Sequence, residues 1–345
     1  MSRTVKKILS VITVVVIAIT LSGCGIHNAQ LVRYEYHYFD VFDTFSTLTI
    51  YTSTQEKADE LNKMVHDSLQ YYHKLFDIHH TYEGVNNIAT VNNYAGIEPV
   101  KVDVSLIEFI LYCKDMYQLT NGHVNIAMGA VISIWHESRM AGTVNPEQAE
   151  LPDRVALIEA MEHISMDSLI VDEVNATLYL SDSKAKLDVG AIAKGYVSDR
   201  ITEMLIEKDV SHALLTLGGN VSSIGGKPDD TPFLAGIQDP RDANNIISTV
   251  QLNGETLVTS GDYQRYYMVD GKRYHHIINP KTGYPPEHLC SVSVIAKESG
   301  LADALSTALF IIPVEQGLEM IENIDGVEAY FIDAKGTVIK SKGFH

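Results

Sequence analysis

Cysteine is scarce in this chain, 3 in 345 residues. That is too few for a disulfide framework, so a hydrophobic core must hold the fold, and a hydrophobic content of 46% suffices for one. Basic residues are short as well, 26 Lys and Arg against 44 Asp and Glu, for a formal charge of −18. This balance excludes nucleic acid as a partner, because phosphate backbones are gripped by clustered Lys and Arg. It leaves room for one local anion site. Repeats and low-complexity tracts are absent, and aromatics and charges stand at ordinary globular levels, which excludes a disordered chain. The apolar run at the amino end, Ile8 to Leu21, is about 14 residues, short of the roughly 20 that span a bilayer.

That run has the length of a signal sequence core, and Arg3, Lys6 and Lys7 precede it as a basic region. It ends in Leu21-Ser22-Gly23-Cys24, which resembles the lipobox of bacterial lipoproteins, where the Cys thiol is alkylated by diacylglycerol before cleavage. The expected organisation is a signal peptide over 1–23, a lipid-anchored tether over 24–38 with Cys24 as the lipidated residue, and one domain over 39–345. The expected location is the extracytoplasmic face of the cell membrane. With Cys24 used as anchor, Cys113 and Cys290 remain, either paired or as two buried thiols.

Periodicity places strands at 44–51, 213–217 and 292–296, a strand-like run over 178–189, and helices at 55–79, 105–119 (capped by Ser105), 190–208 and 301–312. Two strand-like runs, 265–269 and 272–278, flank Asp270-Gly271 as a tight hairpin. Residues 137–153, polar with Gly, Asn and Pro, suggest a surface insertion. Strands joined by hairpins with interspersed helices predict an α+β fold of mixed, mostly antiparallel sheets with packed helices.

Four stretches carry chemistry. Leu187-Asp188-Val189-Gly190-Ala191-Ile192-Ala193-Lys194 runs from strand through a small-residue turn into a helix, whose free N–H groups suit a phosphate within reach of Lys194. Leu217-Gly218-Gly219-Asn220 is a turn whose missing Cβ atoms let backbone approach a ligand. Thr259-Ser260-Gly261-Asp262-Tyr263 is followed by Tyr274-His275-His276-Ile277-Ile278. Neighbouring residues on a strand face opposite ways, so one His faces the chemistry, as a general base, and the other faces away. In Leu301-Ala302-Asp303-Ala304-Leu305-Ser306-Thr307, Asp303 and Thr307 share a helix face, a carboxylate and a hydroxyl of the kind Mg²⁺ accepts when substrate phosphates complete its shell. Each has a plainer alternative, respectively a common Gly-rich turn, a tight turn, structural histidines and a capping Asp.

Together and in this order, LDVGAIAKGYVSD, LGGN, VTSGDYQRYY, YHHIINPKTGYP and LADALSTALF resemble the ApbE family of FAD:protein FMN transferases, from about Asp40 onward. The resemblance implies a T-fold-related architecture. It implies Mg²⁺ on Asp303, Thr307 and the Ala191 carbonyl, with Ser306 as a further contributor, and FAD contacts from Asp188 and Lys194. It also implies His276 as the reactive-site His, with Ile277 against the flavin nucleotide and Asn125-Ile126-Ala127 along the adenosine end. Thr44, Gly219, Asn220, Ser260, Gly261 and Asp262 complete the implied FAD-binding set. The family's Met-Gly-Thr stands here as Phe42-Asp43-Thr44 and its DP-T-G as Asn279-Pro280-Lys281-Thr282-Gly283, so only part of those contacts carries over.

The implied reaction moves FMN from FAD to a Ser or Thr hydroxyl of an exported or membrane protein, such as subunits of Rnf-type or sodium-translocating quinone reductases, with release of AMP. Rival readings of the same residues are Mg²⁺-dependent hydrolysis of FAD to FMN and AMP, and a flavin-binding lipoprotein without turnover. A surface adhesin would explain only the anchor and the charge.

Overall fold

The computed structural model describes residues 30–344; the signal segment 1–23 and Cys24 lie outside the described residues. Eight strands form the main sheet: β1 (Val32–Tyr38), β2 (Ser46–Thr52), β3 (Ala213–Leu217), β4 (Asn220–Ile224), β5 (Thr256–Gly261), β6 (Leu289–Ala296), β7 (Glu328–Asp333) and β8 (Val338–Lys340). Their order across the sheet is their order in the chain, and each neighbouring pair is antiparallel. The helices that matter for the site are α1 (Gln55–Phe76), α2 (Val104–Leu119), α3 (Gly129–Val144), α4 (Ala193–Glu207) and α5 (Ser299–Ile311).

Strand alternation sorts the core into two layers. On β5, Val258 packs with Ala302, Leu305 and Leu309 of α5 on one face. Its neighbour Leu257 packs on the other face with Phe233, Ile237 and Leu252 of the hairpin Phe233–Asp239/Asp242–Leu252. The helix layer also holds α1, whose buried Leu61, Val65 and Leu69 form a stripe of four-residue steps in one cluster with residues of α2 and α4. The result is the expected α+β fold, with its antiparallel sheet covered by helices on one face and a hairpin on the other.

Several boundaries differ from expectation. The segment read as tether includes β1, which pairs with β2 along its length. Its Tyr34, Tyr36 and Tyr38 alternate with Arg33, Glu35 and His37, a two-residue period that marks a half-covered strand. The cap of α2 is Asp103, which accepts from the Ser105 N–H at 2.9 Å, so Ser105 is inside the helix. Half of the supposed insertion 137–153 is helix α3, which buries Trp135. Of the strand-like run 178–189 only residues 178–180 are strand, the end of Thr177–Leu180, and the run expected over 272–278 stops at His275. The hairpin of Tyr266–Val269 and Lys272–His275 is as expected, with Asp270 and Gly271 at φ 51° and 77°, the left-handed pair that a tight antiparallel turn requires. Cys113 and Cys290 are both buried free thiols.

Candidate active site

The ends of β3 and β5, the starts of β2 and β4, and the beginning of α4 gather at one end of the sheet, where Ser46 pairs with Leu217 and Val258 with Asn220. The turn between β3 and β4 needs its glycines, since Gly218 and Gly219 sit at φ 58° and 97°. A Cβ on Gly218 would come within 2.9 Å of Thr44 Cγ2 and 3.0 Å of Lys194 Cδ. Thr44, Lys194 and the glycine turn are therefore one surface, as the sequence predicts.

The helix start differs from the open nest of N–H groups expected there. Helix α4 begins at Ala193, after a turn. Asp188 Oδ1 accepts from Gly190 N–H at 2.9 Å, and the Ile192 and Ala193 N–H groups go to the Val189 carbonyl. The carboxylate of Asp188 thus closes the turn that its neighbours form. The Lys194 ammonium folds back to 3.4 Å from the Gly190 carbonyl.

Gly195 N–H, which a continuing helix would send to the Ala191 carbonyl, donates instead to Asp303 Oδ2 at 2.9 Å. Among the described residues the Ala191 carbonyl accepts no backbone N–H, so it is an open oxygen beside that carboxylate. Asp303 is buried, and its burial pushes its pKa above the usual carboxylate value, against the opposing pull of Lys194, Gly195 N–H and Asn220. The buried Asn220 side-chain nitrogen acts on this carboxylate from beyond hydrogen-bond distance and has no closer partner, so the carboxylate keeps only the Gly195 N–H as a direct donor. Thr307 is half-buried one turn along α5. Among the described residues no three His, Cys, Asp or Glu side chains gather in a metal-ligand group. A single carboxylate with a hydroxyl and a carbonyl fits Mg²⁺, whose remaining ligands come from water and phosphate. Ser306 is fully buried and its hydroxyl lies 2.9 Å from Ser260 Oγ and 3.0 Å from the Asp303 carbonyl. It ties α5 to β5, and with it Ser260, and both hydroxyls are already engaged.

The approach of α4 to α5 depends on glycine at 195. A Cβ there would lie 2.3 Å from the Ser299 carbonyl oxygen and 2.6 Å from Asp303 Cβ, both too close to accommodate. Gly195→Ala is expected to cost about 1–3 kcal/mol by overpacking. A thermal melt that matches the parent chain would show that the two helices have slack.

The two histidines separate, although the strand ends at His275 and His276 lies in the bend that follows it. His275 is buried, with Nε2 donating to the Pro286 carbonyl at 2.7 Å and Nδ1 accepting from Ile277 N–H at 3.3 Å. Both its nitrogens are engaged and its ring meets Phe310 edge-on, so it is structural. His276 is half-buried, and its Nδ1 lies 3.3 Å from the Arg265 carbonyl, an arrangement that makes Nδ1 the donor and leaves Nε2 as the free acceptor. Burial first, then the charges of Arg265, His275, Arg139 and Lys194, push its pKa down to about 3. The Lys194 charge bears on both His276 and Asp303.

Other expected contacts serve the framework. Asn125 donates to the Ile164 carbonyl and accepts from Ala127 N–H, both at 2.8 Å, while the Ala127 side chain is wholly buried in the core. That loop lies against the Asp188 turn, through Asp188 N–H to the Ile126 carbonyl at 2.8 Å, and shapes it from behind. Ile277 is buried in the cluster under α5 and can offer only an edge to a nucleotide. Gly261 is buried at the end of β5, where a Cβ would strike the Tyr263 ring. The Asp262 carboxylate forms a two-pronged pair with Arg241 (2.7 and 2.7 Å) and a third bond to Arg273 at 3.1 Å. Its charge is satisfied by protein, which makes it a structural ion pair. Phe42 and Asp43, the departures before Thr44, both adopt left-handed backbone at φ 53° and 49°.

Sequence reasoning missed Arg139, Arg265 and His136. Arg139 Nη2 lies 2.9 Å from His136 Nδ1 on α3, and Arg265 and Asp188 both act on each of these two side chains. Neither Arg139 nor Arg265 has a carboxylate within ion-pair distance among the described residues, although the chain as a whole is acidic. Arg265 stands inside the string that carries Tyr263, a signal that was available. Arg139 was hidden in the segment taken for an insertion.

The chain matches the ApbE family over residues 42–331. It is 33% identical over 258 residues to an FAD:protein FMN transferase of Klebsiella pneumoniae, covering 74% of this chain and 78% of that protein. A protein of the same name from Treponema pallidum is 33% identical over 271 residues, covering 74% of this chain and 73% of its own. Among solved structures, an ApbE protein from Thermotoga maritima matches with a TM-score of 0.78 at 29% identity, over 90% of this chain and 97% of that one. The flavin transferase ApbE of Vibrio cholerae shares the fold, with a TM-score of 0.75 at 20% identity over 91% and 99% of the two chains.

Proposed function

The chain belongs to the ApbE family, and from that premise we propose that it is an Mg²⁺-dependent FAD:protein FMN transferase that forms a phosphoester on a Ser or Thr hydroxyl. The observation that carries this reading is the meeting of an uncharged imidazole, a cationic rim and a buried carboxylate around Lys194. Nε2 of His276 takes the proton of the incoming hydroxyl. The hydroxyl oxygen bonds to the phosphorus on the FMN side of the pyrophosphate, the bond from that phosphorus to the bridging oxygen breaks, and AMP leaves with that oxygen. Lys194, with Arg139 and Arg265, holds the dinucleotide's negative charge and offsets what builds up on the departing AMP. Mg²⁺, held by Asp303, Thr307 and the Ala191 carbonyl, supplies charge neutralisation at the phosphate oxygens when bound. Positioning and electrostatics suffice for this chemistry, so no covalent enzyme intermediate is required.

The lipobox-like Leu21-Ser22-Gly23-Cys24 supports a lipid-anchored enzyme on the extracytoplasmic face, where exported and respiratory flavoproteins of the Rnf and sodium-translocating quinone reductase type are the acceptors. The test is incubation of the chain with FAD and Mg²⁺, with and without a Ser/Thr-bearing acceptor protein. The expected result is an acceptor heavier by one FMN and AMP in equal amount. Steady AMP release with no mass gain in the acceptor would instead make the chain an FAD hydrolase.

A further inference from the structure

Helix α5, which carries Asp303 and Thr307, starts without a side-chain cap of its own, although Ser299 and Gly300 at its first turn are buried. Free N–H groups at a buried helix start require partners from elsewhere. They find them on α4, where the Asp199 carboxylate accepts from Ser299 N–H through one oxygen and from Gly300 N–H through the other, each at 2.7 Å. One turn earlier on α4, Gly195 N–H donates to Asp303 Oδ2, which lies one turn later on α5. The two helices are thus latched twice, at points one turn apart on each. The metal donors come from both sides of this junction, Ala191 from the turn before α4 and Asp303 with Thr307 from α5. Any sliding of one helix along the other changes the distance between them.

We infer that Asp199 is a positioning residue for Mg²⁺, holding α5 in the register that brings Asp303 and Thr307 to the Ala191 carbonyl; the inference rests on the metal reading above. A cap kept only for stability would act on the melting temperature and leave metal affinity alone, which is the difference the test reads. Burial pushes the Asp199 pKa up to about 6, with the Glu298 carboxylate adding to the rise and Arg200 and the two N–H bonds opposing it. Its charged form is therefore held at a cost to the fold.

The test is direct metal binding by the full chain, with Mn²⁺ as a paramagnetic stand-in for Mg²⁺ followed by electron paramagnetic resonance. Asp199→Asn keeps the shape and one acceptor oxygen, and is expected to weaken binding roughly tenfold, in the range by which residues that orient metal ligands act. The Mg²⁺ concentration for half-maximal turnover is expected to rise by the same factor, with kcat at saturating Mg²⁺ near that of the parent and the melting temperature within a few degrees. Asp199→Ala is expected to go further; should it fail to fold, Asp199→Asn decides. Parent-like Mn²⁺ affinity in Asp199→Asn, with Asp303→Ala having lost it, overturns the positioning role alone. No Mn²⁺ binding by the parent, or undiminished binding by Asp303→Ala, overturns the metal reading and this inference with it.

Discussion

Asp303→Ala is expected to remove Mg²⁺-dependent turnover while leaving FAD binding largely intact. Asp303 is the sole carboxylate proposed for the metal, and the other donors, a hydroxyl and a carbonyl, are neutral. Without its charge the cation has no anchor other than the substrate itself. Metal neutralisation of phosphoryl charge contributes several kcal/mol, so a loss of about a thousandfold or more in kcat is expected. Asp303→Asn separates this from damage to the fold. An amide oxygen can still accept from Gly195 N–H, now 2.9 Å from the carboxylate, yet it lacks the charge. The two variants are expected to be similarly inactive. Turnover near the parental rate in Asp303→Asn would place the metal elsewhere.

His276→Ala is expected to lower kcat by about 10²–10⁴-fold, the usual contribution of a general base, with little change in FAD affinity. The pH dependence gives a second handle. An ordinary His loses its proton near pH 6.5, but burial and the neighbouring cations hold His276 down to about 3 in the nucleotide-free chain. Its base form is therefore complete across the neutral range, and kcat/KM is expected to show no acid limb from this group between pH 8 and 5. FAD brings phosphate charge beside the same cations and favours the protonated imidazole, so the acid limb of kcat is expected at higher pH than that of kcat/KM. A kcat/KM that halves near pH 6.5 would mean that burial and the neighbouring cations do not hold the His276 proton off in the free enzyme; His276→Ala at the parental rate would mean that it is not the base. The stability consequence has a definite sign. The unfolded chain takes up this proton below about pH 6.5 while the folded chain refuses it until about 3, so stability is lost as pH falls through that window.

Much of the site was legible because its parts are local. Asp303 and Thr307 share a face because a helix repeats every 3.6 residues, and the structure keeps them on α5. His275 and His276 do face different surroundings, but through the bend that follows the strand end at His275 rather than through the alternation of a strand running to 278. The left-handed turns at Gly218-Gly219 and Asp270-Gly271 follow from which residues tolerate positive φ. Where the reading went astray, non-local contacts had decided. Nothing near Asp262 in sequence announces that Arg241 would fold across to take its carboxylate. Nothing near Gly190 tells that the Gly190, Ile192 and Ala193 N–H groups would be taken by Asp188 and Val189. Asn125 and Ala127, which the resemblance places along the adenosine end, are in this structure engaged with the Ile164 carbonyl and buried in the core respectively.

By itself the sequence determined the class of fold, the hairpin at Asp270-Gly271, the helix that carries Asp303 and Thr307, and the family whose motifs these are. All of these depend on periodicity, turn residues and short strings, which a chain displays without being folded. Only the tertiary structure decided how α4 and α5 meet, with Gly195 against Ser299 and Asp199 across the start of α5, and that Arg139 and Arg265 stand unpaired around His276. Those relations join residues up to about a hundred positions apart. They arise from packing and charge compensation in three dimensions, which no spacing along one chain encodes.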